Sequence, residues 1–133
     1  MSWDIFVQDI PDDVRSVNDI PNHFVPAPVG KRTELIKQIK EVAPFADFSD
    51  PAWGKIDGKG FSIEVNLGED EEVDGFAFHV RGNDVAAGLI SEILAHLNLS
   101  AFDSGTGDLF DHTNAAEGLK KWREYRNYIV EGK

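Results

Sequence analysis

Twice between Phe61 and Val80 the chain alternates apolar with polar side chains, and a period of two is the signature of an extended strand with one buried face. Phe61, Ile63, Val65 and Leu67 alternate with Ser62, Glu64 and Asn66; farther on, Phe76, Phe78 and Val80 alternate with Ala77, His79 and Arg81. Eight residues, Gly68 to Gly75, separate the two runs, which predicts an antiparallel hairpin. Side-chain alternation then obliges Ser62, Glu64, Asn66, His79 and Arg81 to share the face opposite the apolar one. Pairing Val65 with Phe78 sets Glu64 opposite His79 and leaves Arg81 diagonal to Glu64, within reach of a carboxylate.

An apolar sheet face needs a cover, and two stretches of helical period supply it. Asn83 or Asp84 opens a helix carrying Val85, Leu89, Ile90, Ile93, Leu94 and Leu97, a stripe broad enough to lie on the hairpin. Upstream, Thr33 is placed to cap a helix with Leu35, Ile36, Ile39 and Val42 on one side, and Pro44 stops it. Ser2 to Gln8 alternates as a further strand. Residues 9–30 hold Pro11, Pro21, Pro26 and Pro28, which predicts a long ordered connection with one short helical turn at Val14 to Asn18. Gly54 to Gly58 reads as a short strand or turn. The stretch from Phe45 through Phe48 to Trp53 has no clear period and is expected to pack its rings over the edge of the core. Ala101 to Asp103 reads as a short strand, followed by a glycine-punctuated turn and a second extended piece at Leu109 and Phe110. Thr113 or Asn114 opens a last helix with Leu119, Trp122, Tyr125 and Ile129 at helical spacing.

That order predicts an α+β fold: an antiparallel or mixed sheet of four to five strands with helices packed mainly on one face. The length of 133 residues suits one domain and one core, and 9 Phe and 3 Trp are ample to fill it. With no cysteine there is no disulfide, thiolate nucleophile or cysteine-ligated zinc, and a reducing cytoplasm suits the chain. No apolar stretch approaches the roughly 20 residues that a membrane helix requires.

The formal net charge of −11 shapes the choice of partner. Such a field repels phosphate backbones and anionic lipid, so neither nucleic acid nor membrane is expected as a partner, whereas a basic protein is favoured. The strongest local source is the hairpin loop, where Glu69, Asp70, Glu71, Glu72 and Asp74 put five acids into six residues. Their spacing is not that of a calcium loop, which needs alternating oxygens, a central glycine and a closing glutamate. Basic residues gather instead at Lys31, Arg32, Lys37 and Lys40, and at Lys120, Lys121, Arg123 and Arg126.

Catalytic motifs are missing. Gly105-Thr106-Gly107 has neither the lysine of a P-loop nor the third glycine of a dinucleotide fingerprint, and His23, His79, His96 and His112 form no i, i+4 pair for metal. No nucleophile elbow is present. No catalytic residue, metal or cofactor is therefore assigned, and the oligomeric state stays open. Three readings of function stand. The first is a non-enzymatic interaction protein of the immunity or antitoxin-like kind, binding a basic macromolecule through Glu69, Asp70, Glu71, Glu72 and Asp74. The second is a small enzyme or ligand-binding domain using the polar sheet face of Glu64, Asn66, His79 and Arg81, where a carboxylate beside an imidazole suits acid-base chemistry. The third is an accessory subunit that docks through the aromatic C-terminal helix.

Overall fold

The computed structural model describes residues 3–11, 14–82, 84–104 and 107–110. Within them lies an α+β fold built on a five-stranded antiparallel sheet. Its strands are β1 (Trp3–Gln8), β3 (Trp53–Gly58), β4 (Phe61–Asn66), β6 (Gly75–Gly82) and β7 (Ser100–Asp103), in the spatial order β3-β4-β6-β1-β7. Two short strands, β2 (Gly30–Lys31) and β5 (Glu72–Val73), pair separately. The helices are α1 (Arg32–Val42) and α2 (Asp84–Leu97).

The predicted hairpin is β4 and β6, with Val65 opposite Phe78 and Glu64 opposite His79. Phe61, Ile63, Val65, Phe76, Phe78 and Val80 are all buried, as the alternation requires. The chain does not continue to a neighbouring strand after the hairpin. It folds α2 over β4 and β6, enters β7, and β1 inserts between β6 and β7. Ile5 and Val7 of β1 thereby join the hairpin's apolar face at almost complete burial.

In α2 the side chains of Leu89, Ile90, Ile93 and Leu94 are fully buried. The helix ends where Asn98 takes a positive φ of 56°, with Asn98 N–H donating to the Ala95 carbonyl and Leu99 N–H to that of Leu94. This paired closure satisfies the last carbonyls, and asparagine tolerates the left-handed conformation better than most residues. In α1, Leu35, Ile39 and Val42 are buried and contribute to the same core, and Pro44 follows the last turn.

Four expectations need correction or sharpening. Thr33 does not cap α1: the flanking position belongs to Lys31, which makes no side-chain cap, and Thr33 already sits inside the first turn. Its unsatisfied N–H is met from outside the helix, by Glu71. Gly54 to Gly58 is part of a full six-residue strand, in which Gly54 leaves the space that the Phe48 ring fills; a Cβ there would stand 2.2 Å from that ring. Phe45 and Phe48 do pack against the core, but Trp53 lies on β3 with its side chain partly in solvent. The helical turn of the first connection falls at Val17–Asp19, slightly later than predicted.

The edge strand β3 is shielded by Asp47, whose backbone exchanges two hydrogen bonds with Lys55. The second extended piece pairs Leu109 with Phe102 through an isolated antiparallel bridge, a pairing that the sequence reading did not specify. The expected C-terminal helix, with Trp122, Tyr125 and the bases from Lys120 to Arg126, lies outside the described residues. Among the described residues no helix is long and apolar enough to cross a membrane.

Candidate functional site

Strand pairing turns the face opposite the core into registered rows, two of which cross four strands. One row runs Lys55, Glu64, His79, Asp4 across β3, β4, β6 and β1; the next runs Trp53, Asn66, Ala77, Phe6. The polar residues expected on the hairpin, Glu64, Asn66, His79 and Arg81, are thus brought together on one face. Arg81 reaches Glu64 with 3.8 Å between Nη1 and Oε1, a loose and largely solvated contact.

His79 is held by residues that the hairpin alone does not contain. Its Nδ1 lies 2.8 Å from Oδ1 of Asp4, the residue opposite it on β1. The indole of Trp53 stacks on the imidazole with ring centroids 5.6 Å apart and an interplanar angle of 18°. Because β4 runs between β3 and β6, this stack bridges an intervening strand. Both contacts escape a sequence reading, since no local pattern reveals which strands flank the hairpin. The alternation of Trp3 to Gln8 does place Asp4 with Phe6 on one face.

Beside this cluster the sheet is hollow. β6 carries Gly75 and Ala77 on the open face, while its neighbours carry Gln8 and Phe6 on β1 and Asn66 on β4. The result is a groove of about 370 Å³, lined by Phe6, Gln8, Asn66, Gly68, Gly75 and Ala77. Phe6 is 45% exposed and Trp53 37%, while Phe102, next to Phe6 in register, is buried. Of the four polar residues predicted as a site, only Asn66 lines this groove.

The groove ends at the acidic loop, since Gly68 and Gly75 bracket Glu69 to Asp74. All five acids are exposed. One of them has a structural task. Glu71 Oε1 accepts hydrogen bonds from the Thr33 hydroxyl at 2.6 Å and the Thr33 N–H at 3.1 Å, at the start of α1. These two bonds, the hydroxyl's first, hold the Glu71 carboxyl below its usual pKa, and the charges of Arg32 and Lys31 add to the effect. Arg32 N–H also donates to the Glu71 carbonyl, its Nη1 donates to that of Gly68, and Glu72 pairs with Lys31 across the small sheet. The acidic run is therefore moored to the basic start of α1 rather than projecting as a bare hairpin tip.

No known protein family, curated protein or solved structure matches this chain. Its chemistry has to be argued from the geometry. Among the described residues no group of three or more His, Asp or Glu side chains is arranged to hold a metal ion.

Proposed function

We propose that this protein is a non-enzymatic interaction module that recognises a basic polypeptide through the open face of its sheet. The observation that carries this reading is that the groove beside Phe6 opens between Gly68 and Gly75, which are also the two ends of the acidic run. An exposed aromatic wall next to concentrated negative charge suits a segment whose side chains are long, partly apolar and cationic. The net charge of −11 extends the attraction beyond contact distance and raises the encounter rate. An immunity or antitoxin-like inhibitor is one physiological form of such a module. A cysteine-free chain is suited to meeting its partner in the cytoplasm.

One observation favours the enzymatic alternative. Asp4 Oδ1 lies 2.8 Å from His79 Nδ1 and orients the imidazole, a carboxylate-histidine arrangement of the kind used in acid-base chemistry. Against it, Glu64, His79 and Arg81 do not line the groove, and a reacting substrate would need a site that encloses them.

The test is kinetic. With a partner purified from native extract, association should slow as salt shortens the Debye length from about 10 Å at 0.1 M to about 3 Å at 1 M. Reversing Glu69, Asp70 and Asp74 to Lys should slow it further at low salt, while the urea midpoint stays within about 0.5 kcal/mol of the wild type. Glu71 is left intact because it serves α1. A partner of acidic composition, or an unchanged rate for the triple variant at low salt, would overturn the reading.

A further inference from the structure

We infer that the trough over Gly75 and Ala77 seats one long cationic side chain, an arginine or lysine of the bound polypeptide. This rests on the reading of a basic partner and assigns the chemistry of its central contact. The trough exists because β6 places only a hydrogen and a methyl group on a face where both neighbouring strands carry large side chains. Ala77 lies between Phe6 and Asn66, and Gly75 lies beside Gln8. The two flanking strands stand roughly 10 Å apart at the usual interstrand spacing, so the hollow is one strand wide.

Each part of the lining fits a different part of such a side chain. A methylene stem can lie along the exposed Phe6 ring, with the nearly buried Ala77 methyl at the floor beneath it, as the stems of Lys and Arg do on apolar surface. Among the described residues no hydrogen bond engages the side-chain amides of Gln8 or Asn66, so their carbonyl oxygens remain as acceptors for the cationic head. Toward β5 the trough reaches Gly68 and Gly75, which flank the exposed acids in the chain. Arg32 binds the Gly68 carbonyl there, so the negative charge for the cationic head comes from the remaining acids Glu69, Asp70 and Asp74. In the opposite direction the next residue of β6 on this face is His79, with Asp4 and Trp53 in contact, so the row is closed on that side. An aspartate or glutamate would meet like charge, and a purely apolar side chain would strip water from the two amides without replacing it.

The probe is a set of blocked pentapeptides, Gly-Gly-X-Gly-Gly with X as Arg, Lys, norleucine or Glu, titrated at low salt into the isotopically labelled full chain. Amide resonances of Phe6, Gly75 and Ala77 should move with the Arg and Lys peptides, and the norleucine peptide should bind at least about fivefold more weakly. Ala77→Leu, which fills the trough, should abolish these shifts. Phe6→Ala should weaken the Arg peptide about three- to fivefold, as expected when a methylene of the stem loses the apolar ring it lies against. Should Ala77→Leu fail to fold, Phe6→Ala carries the test, because that side chain is exposed in the wild type. Equal binding of norleucine and Arg would overturn the inference. So would shifts confined to residues 69–74 and indifferent to Ala77→Leu and Phe6→Ala, a result that leaves the basic-partner reading standing. Absence of any shift with either cationic peptide would overturn both.

Discussion

His79 Nδ1 and Asp4 Oδ1 lie 2.8 Å apart across the β6-β1 pairing, joining residues separated by 75 positions in the chain. The same imidazole carries the Trp53 ring on its face, so three strands contribute to one small cluster on the open side of the sheet. Side chains from β3, β6 and β1 meet there only after the sheet has assembled, so the cluster reports on correct strand order as well as on local contact.

The Asp4–His79 pair should therefore show measurable coupling. Both side chains are partly exposed, so a double-mutant cycle with Asp4→Ala and His79→Ala should give an interaction energy of about 0.5–1 kcal/mol in urea unfolding. A coupling indistinguishable from zero would reduce the contact to a solvated neighbour pair.

In the core, Ile93 is the most informative position, being fully buried in the middle of α2. Ile93→Ala should lower the unfolding free energy by about 2–5 kcal/mol, combining lost transfer energy with the cavity left behind. An unchanged urea midpoint would contradict the packing of α2 on the sheet.

Glu71 gives a pH dependence whose sign follows from its depressed pKa. A carboxyl that ionises more readily when folded contributes stability that is fully present above its unfolded pKa, near about 4.3 for an ordinary glutamate. That contribution is lost as the pH falls through the lower folded value. Melting temperatures of wild type and Glu71→Gln should differ most at neutral pH and converge on acidification below pH of about 4. A difference that grows with acidity would show that the Thr33 hydrogen bonds favour the neutral form instead.

Gly82 closes β6 with φ of +120°, and a Cβ there would stand 2.3 Å from the Gly60 carbonyl oxygen and 2.4 Å from Phe61 Cα. Backbone cannot yield as a flexible side chain does. Gly82→Ala should cost at least about 1–3 kcal/mol in chemical denaturation, from left-handed strain together with the steric conflict. Gly68 makes a useful comparison, since its φ is +82° but nothing lies within 4 Å of its missing Cβ. Gly68→Ala should suffer the conformational strain alone and fall at the low end of that range.

Much of the hairpin was legible in the residues themselves. Alternation from Phe61 to Val80 implied the β4-β6 register, and with it the opposition of Glu64 to His79 and the diagonal reach of Arg81, because a strand's side-chain direction is a local property of extended backbone. The apolar stripes of α1 and α2 were legible for a similar reason, as their spacing matches the helical period. Gly54 obscured β3, since its contribution is the space it leaves for Phe48, and space is visible only with the neighbour in place.

What no local pattern contained was adjacency between distant segments. That β1 lies beside β6, that Trp53 crosses β4 to reach His79, and that Glu71 rather than Thr33 serves the start of α1 all depend on which arrangement best buries the whole apolar set and satisfies its backbone groups. The groove has the same origin. Gly75 and Ala77 are merely small residues in the sequence, and they become the floor of a trough only because assembly sets Phe6, Gln8 and Asn66 on either side of them. Side-chain direction is settled by one strand's own dihedral angles, whereas adjacency is settled by the free energy of the entire core.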